Sequence, residues 1–416
     1  MNSNSDVLVV GSGPAGLFAA LVAAQRGKTV RIVTQGAGSL AICGSNIDVL
    51  GYAQGQRIDE APWAAIAQLA PEHPYSLVGE HSIRSALHCI STLCAKAGSP
   101  LGHADEEKNT LVPSIVGTLK PSWLCPAVAQ GNSLLAARRV LVAGIEGFKD
   151  CHPVLVARQL KRYPELKQAS FQTVNLIMPP QPRKRTLSPL DVARFVDSPE
   201  GLAWLCRSLR PYASTADVLV LPPVCGIEHS GSVMAALSEE MHCPVIEMLS
   251  IPPAVGGLRL RAILCRELAA LSVNIVENAT IIRAETASKQ CLALISKGTS
   301  GERRYTAKHI IIATGGILGG GLNVSPTAAQ ESIFGIDLPL PKVIEDRSQE
   351  AVFGDHYFTR MGVQVNADLC PVGADGAVLF DNVHFVGRAL GGYDYATEKS
   401  GLGVAFATAW AAAHTV

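Results

Sequence analysis

The chain of 416 residues predicts an α/β fold: an open, largely parallel sheet flanked by helices, with a second α/β region inserted into it. Three observations predict it. An apolar run, Val7 to Val10, passes into Gly11-Ser-Gly13-Pro14-Ala15-Gly16 and then into an apolar helical stretch from Leu17 to Gln25. Buried-strand patterns ending in glycine recur late in the chain, at His309–Gly316 and Val383–Gly387. Between these ends, residues 70–250 alternate short β-branched runs with helical periods.

The first element is the most specific. Gly-x-Gly-x-x-Gly between a strand and a helix is a tight turn whose free helix N–H groups can hold a pyrophosphate. Thr29–Val33 follows as a second strand and completes a β-α-β start. An acidic residue commonly ends that strand and grips the adenosine ribose. Thr34 and Gln35 stand there instead, so hydrogen bonding remains but the charged grip is missing. Next comes a polar, glycine-bearing loop, Ala41-Ile-Cys43-Gly44-Ser45-Asn46-Ile-Asp48, with few periodic signals; it is read as lining a site.

In the central region the expected strands are Val140–Ala143, Gln172–Ile177, Val218–Leu221 and Val245–Leu249, with helices at His152–Arg162 and Gly231–Met241. Gly144-Ile-Glu-Gly147 lacks a third glycine and reads as a structural turn. After Pro252-Pro253, an amphipathic helix spans Gly257–Leu271 and a strand spans Val273–Glu277. Hairpin strands follow at Cys291–Ser296 and Arg304–Ala307. His309-Ile-Ile-Ile-Ala313-Thr314-Gly315-Gly316 is a buried strand ending where a bulky side chain would block a cofactor. Gly387-Arg388, Gly391-Gly392 and a small-residue helix from Gly401 close the pattern. That helix N-terminus can direct its dipole at the pyrimidine edge of a flavin, where negative charge builds on reduction.

The three segments, in this order, specify a Rossmann-like FAD/NAD(P)-binding flavoprotein fold with an inserted α/β substrate or cap domain. The flavin-binding domain is expected from residues 1–69, 251–322 and 375–416, the inserted domain from 70–250 and a small insert from 323–374. Expected cofactor contacts are Gly11, Gly13, Pro14, Ala15, Gly16, Thr34, Gln35, Gly44, Ser45, Ala313, Thr314, Gly315, Gly387, Arg388, Gly392 and Gly401. FAD and FMN both remain open. The three-glycine turn, built for a pyrophosphate, leans towards FAD.

Composition narrows the function. Hydrophobic residues make up 48% and charged residues 17%, which predicts buried strands and excludes a disordered chain. The formal net charge is zero, so nothing favours nucleic acid or an anionic surface, and an RNA-modifying role is disfavoured. The basic run Arg183-Lys184-Arg185 lies among prolines and reads as a solvated loop. No signal-peptide pattern and no stretch of ~20 apolar residues is found. Eleven cysteines without a Cys-x-x-Cys predict no disulfide framework, iron–sulfur cluster or metal site, and a reducing cytoplasm.

Further strings carry a narrower resemblance. They are Ala70-Pro-Glu-His73-Pro74-Tyr75-Ser76-Leu77, Gly117-Thr118-Leu119-Lys120-Pro-Ser-Trp123-Leu124 and Gly144-Ile145-x-Gly147-Phe-x-Asp150. Leu249-x-x-Pro252-Pro253-x-x-x-Gly257-Leu-Arg259-Leu260, Gly315-x-x-x-Gly319-Gly-Gly321-Leu322, Gly335-Ile-Asp337 and Leu390-Gly391-Gly392-Tyr-Asp394 continue the series. In collinear order, over nearly the whole chain, they resemble the B-subunit family of anaerobic glycerol-3-phosphate dehydrogenase. Thr34 and the loop Cys43–Asp48 resemble that family too, although serine is common there where this chain has Cys43.

The resemblance implies a flavoprotein subunit in anaerobic respiration, often described with FMN. It implies a larger flavoprotein dehydrogenase subunit and an iron–sulfur membrane-anchoring subunit as partners. It implies electron transfer from sn-glycerol 3-phosphate towards quinone, at a cytoplasmic location, peripheral on the inner membrane through a partner. Hydride transfer from a secondary alcohol needs a base and a phosphate needs cations. His73 and His356 are the candidate bases, with a helix-capping role as the other reading of His73 beside Pro74. Arg259 and Lys120 are the candidate phosphate clamp, with ion pairing as the alternative. Arg388 could instead stabilise reduced flavin, and Cys43 is either near the flavin ring or an inert thiol. A flavin-binding electron-transfer or assembly subunit with no substrate site of its own is the competing expectation.

Overall fold

The computed structural model describes residues 4–44, 46–103, 105–126, 131–179, 186–299, 301–351, 354 and 356–416. Ser45 and the run Arg183–Arg185 lie outside the described residues. The chain opens with β1 (Asn4–Val10), α1 (Pro14–Gln25) and β2 (Val30–Val33). Val7 to Val10 are apolar at every position because β1 is central and covered on both faces. The ten residues Pro14–Ala23 of α1 are all buried, so this helix has no polar face and runs through the core. A second long helix, α2 (Pro74–Lys96), follows.

A separate four-stranded sheet comes next. It is formed by β3 (Arg139–Ile145), β4 (Ser170–Leu176), β5 (Val218–Leu221) and β6 (Val245–Glu247), in the order β4-β3-β5-β6 and parallel throughout. Helices Pro153–Leu160, Pro189–Val196, Pro199–Leu209 and Ser230–Met241 flank it, and Leu111 to Met248 supply its hydrophobic core.

The chain then returns through α3 (Val255–Ala270) to β7 (Asn274–Val276), β8 (Ala279–Ala287), β9 (Gln290–Gly298) and β10 (Gly301–Ile312). It ends with β11 (Val383–Phe385) and α4 (Gly401–Thr415). The main sheet runs β7-β2-β1-β10-β9-β8, with β11 beside the end of β10. In register, Val7–Val10 face Val30–Val33 on one side and His309–Ile312 on the other, all parallel. The expected strands Arg304–Ala307 and His309–Gly316 are one element. The first half of β10 pairs antiparallel with β9 and the second half parallel with β1 and β11.

One expected boundary is corrected. The inserted region was placed from residue 70, yet α2 packs in the first core through Tyr75, Ile83, Leu87 and Ile90. The second core starts only at Leu111. Periodicity marks α2 as a helix but does not say which of two apolar cores its face will meet. Phe18 of α1 meets Phe406 of α4 edge-on at 5.0 Å, which binds the two ends of the chain across the sheet. Among the described residues no helix is long and apolar enough to cross a membrane, and no group of three potential ligands is placed to hold a metal.

Candidate functional site

Three distant segments converge on the turn after β1. Gly11 takes φ +107°, closed to L side chains, and a Cβ there would collide with the Ala313 carbonyl. A Cβ at Gly16 would collide with the Gly11 carbonyl and stand 3.2 Å from the Ala313 methyl. A Cβ at Gly387 would stand 2.8 Å from the Ala15 methyl. Gly11, Ala15, Gly16, Ala313 and Gly387 therefore form one close-packed floor. Gly13 differs: the nearest atom to its Cβ position is Ser39 Oγ at 3.9 Å, an ordinary contact, so nothing there is crowded.

Pro14 starts α1 and has no N–H, and the first amide bonded back into the helix is Leu17, to the Gly13 carbonyl at 3.0 Å. The amides of Ala15 and Gly16 precede it and have no helical carbonyl to reach. They lie in the first turn of α1, next to Gly13.

The loop after β2 lies over this turn. Gly38, at φ +70°, approaches so closely that its Cβ would stand 2.6 Å from the Gly13 Cα. Thr34 and Ser12 are buried, their hydroxyls are 3.0 Å apart, and each donates to the Gly36 carbonyl at 2.7 Å. Thr34 thus holds the loop, while Gln35 is exposed at the strand end. Ser12, Gly38 and Ser39 were missed by the sequence reading. The only local sign was a Gly-Ser pair a few residues past a strand end.

On the far side, Gly315 takes φ +79° after the end of β10, and the Thr314 hydroxyl is buried with no hydrogen-bond partner. Gly44 packs on Leu249, 3.4 Å from its Cβ position, and Gly392 on the Glu72 carbonyl at 2.7 Å. Gly401 opens α4, and its Cβ position is 3.5 Å from the Tyr395 Cβ. Three more buried polar atoms lack partners: Asn46 Nδ2, Asp48 Oδ1 and the Tyr393 hydroxyl. Their residues are 4%, 6% and 1% exposed. A buried polar atom without a partner is costly, so each of these favours a polar partner. A flavin nucleotide fits the turn: an uncrowded helix N-terminus at Gly13 for the pyrophosphate, and the unpartnered Thr314 hydroxyl beyond it.

The structure places the other expected residues as follows in the fold. His73 caps α2: its Nδ1 accepts from the Tyr75 amide at 3.0 Å and its Nε2 lies 3.2 Å from Glu398 Oε2. Both ring nitrogens thus carry hydrogen bonds within the fold. The Nδ1 of His356 accepts from the Gln349 amide at 3.3 Å and faces Ser348 Oγ at 3.0 Å, so it orders a loop. Arg259 is 5% exposed and forks onto Glu247 at 2.5 and 3.0 Å, with its Nε on the Gly226 carbonyl. Burial pushes the Glu247 carboxyl up, but the charge and hydrogen bonds of Arg259 outweigh this and hold it below the usual range. Arg259 therefore ties α3 to the second sheet and offers no free cation. Arg388 donates to the carbonyls of Met361 and Thr359 at 3.0 and 2.7 Å and lies 4.7 Å from the Tyr395 ring centre, clamping a loop. Lys120 alone of the expected clamp lies at the site, ion-paired with Asp48. Burial raises the pKa of the half-buried Cys43 thiol, leaving it neutral.

Residues 6–404 match the family of the FAD binding domain. The chain is 30% identical over 421 residues to the B-subunit of anaerobic glycerol-3-phosphate dehydrogenase from Vibrio cholerae serotype O1, covering 99% of this chain and 96% of that one. The chain belongs to this B-subunit family. The protein of the same description from Vibrio vulnificus is 29% identical over 420 residues, covering 98% and 95%. The solved structure of 3-ketosteroid delta1-dehydrogenase from Sterolibacterium denitrificans covers 99% of each chain at 11% identity, with a TM-score of 0.47. Membership makes the chain a flavoprotein dehydrogenase subunit, with FAD as the cofactor of its domain family. The Rossmann-like flavoprotein fold agrees with it.

Proposed function

We propose that this chain is the flavoprotein subunit of a quinone-linked anaerobic glycerol-3-phosphate dehydrogenase and oxidises sn-glycerol 3-phosphate to dihydroxyacetone phosphate. Its partners are a larger flavoprotein subunit and an iron–sulfur subunit that anchors the complex at the cytoplasmic face of the membrane. The observation that carries the reading is the uncrowded glycine turn at the start of α1, beneath Gly38 and Ser39, inside a chain whose relatives bear this name.

When bound, a flavin would supply the hydride acceptor for an alcohol substrate. The residues of this chain do the rest. The amides of Ala15 and Gly16 and the hydroxyl of Ser39 hold the pyrophosphate. Gln35 would hold the ribose from the end of β2, which Thr34 and Ser12 keep in place. Ala313 and Gly315 form a wall without bulk, and the Thr314 hydroxyl finds its missing partner on the cofactor. The N-terminus of α4 stabilises charge at the pyrimidine edge. Lys120 attracts the substrate phosphate.

A second reading has an observation in its favour. His73, His356 and Arg259 all make structural bonds, as an electron-transfer or assembly subunit without a substrate site would allow. Anaerobic addition of glycerol 3-phosphate to the purified, flavin-loaded chain separates the two. The proposal expects the flavin to bleach; a flavin that stays oxidised alone and in the complex, while the complex still turns over, supports the second reading.

A further inference from the structure

The loop that follows β2 carries a charge cluster that the cofactor cradle does not use. Asp48 is almost fully buried, and its backbone carbonyl accepts from the Gly403 amide at 3.1 Å, which pins the loop to the first turn of α4. One carboxylate oxygen is ion-paired with Lys120; the other is buried with no partner. Lys399 stands at the same place. A Cβ at Gly51 would lie 2.9 Å from the Pro121 ring and 3.0 Å from the Lys399 Cβ, so the segments bearing Lys120 and Lys399 close on one another. Lys399 is half-buried, one residue before the N-cap of α4.

We propose that Asp48, Lys120 and Lys399 form the recognition site for a hydroxylated phosphomonoester, the two ammonium groups taking the phosphate and the unpartnered oxygen of Asp48 accepting a hydrogen bond from the alcohol. This deepens the function proposed above and rests on it. An ammonium has three N–H donors. Lys120 uses one on Asp48, and Lys399 one on the Ala396 carbonyl at 2.5 Å, so each retains donors for phosphate oxygens. Two ammonium groups would call for an anion alone; the unsatisfied carboxylate oxygen beside them calls for a donor. A ligand bearing both a phosphate and a hydroxyl satisfies the whole set.

The neighbouring carboxylates Asp394 and Glu398 are engaged by other donors. Burial keeps Cys43, Tyr75 and Cys125 protonated. The Asp394 carboxylate, which also faces Lys399, already accepts from Ala396 N, Thr397 N and the Thr359 hydroxyl. Burial first, and then Lys120, draw Lys399 below the usual lysine pKa, a tension that a bound anion would relieve. The cluster is also distinct from the glycine turn at Gly13, where the proposal places the cofactor pyrophosphate.

The test is calorimetric titration of the purified flavin-loaded chain with glycerol 3-phosphate, inorganic phosphate and glycerol. The expected order is tightest for glycerol 3-phosphate, weaker for phosphate and weakest for glycerol. Lys399→Gln and Lys120→Gln should each weaken the first two by about tenfold or more, as expected for one lost charge-assisted hydrogen bond. Lys399→Arg should retain binding. Asp48→Asn should weaken glycerol 3-phosphate and leave inorganic phosphate at least as tight. Unchanged affinity in both lysine variants overturns the inference and leaves the proposed function standing. Loss of flavin along with ligand overturns it too, because the lysines would then serve the cofactor. A wild-type chain that binds no glycerol 3-phosphate, in a complex that still turns over, overturns the substrate site itself.

Discussion

Gly13→Ala separates folding from cofactor binding. The backbone at Gly13 has φ −72° and ψ −177°, open to any residue, and the added methyl meets nothing closer than Ser39 Oγ at 3.9 Å. Replacing a favourable N-cap glycine costs about 0.5–1 kcal/mol. Restricting the unfolded chain returns about 0.4–1 kcal/mol. Apo stability should therefore change by less than about 1 kcal/mol. The same methyl would stand at the start of α1, where the proposal places the pyrophosphate. Two lost charge-assisted hydrogen bonds at about 1.5–3 kcal/mol each weaken flavin binding by about two to four orders of magnitude. Gly16→Ala is the control. Its methyl would collide with the Gly11 carbonyl in a packed floor, destabilising the apo protein by about 1–3 kcal/mol or more. The assays are urea unfolding of the apo protein and flavin retained after gel filtration. A Gly13→Ala protein that keeps stoichiometric flavin would refute the placement of the pyrophosphate.

Four further outcomes are expected. Mass measurement of the released cofactor should give FAD; FMN would contradict the placement of a pyrophosphate at Gly13. His73→Asn, which preserves a cap acceptor at the start of α2, should keep the turnover of the assembled enzyme within about threefold, whereas loss of a true base reduces it about 100- to 10,000-fold. Arg259→Ala should destabilise by about 3–5 kcal/mol in urea, because it leaves the Glu247 carboxylate buried and alone, and the paired Glu247→Met, Arg259→Met protein should recover most of that loss. Glu331 is 1% exposed, and burial pushes its carboxyl up to about 7. The folded state then holds a proton that the unfolded chain releases near pH ~4.3, so stability falls as pH rises towards about 7 and levels off above it. The fall is about 3 kcal/mol at most, and Glu331→Gln should abolish it in unfolding measured from pH 5 to 8; an unaltered profile would exclude Glu331 as its source.

Much of the fold was legible in the sequence for identifiable reasons. β1 and the second half of β10 are buried on both faces and so read as continuous apolar runs. The turn Gly11–Gly16 announced itself because two of its glycines meet backbone that no Cβ can approach. Residues whose role depends on a distant partner were not legible. Arg259 looked like a phosphate clamp until Glu247, twelve residues earlier, filled its fork. His73 could be read as a base or a cap until Glu398, 325 residues away, took its second nitrogen. Asp48 lay in a quoted loop, yet nothing local marks one of its oxygens as buried and unpartnered.

By itself the sequence determined the chemistry class: glycine spacing, strand burial and helix period are local properties, and together they specify a nucleotide turn with a flavin wall. Only the tertiary structure decided which polar groups are free to act. A charge or a ring nitrogen is available only if no other group satisfies it, and that depends on side chains brought close by the sheet order and the closing helix α4. Those contacts committed His73, His356, Arg259 and Arg388 to the fold and left Asp48, Lys120 and Lys399 together beside the cofactor cradle.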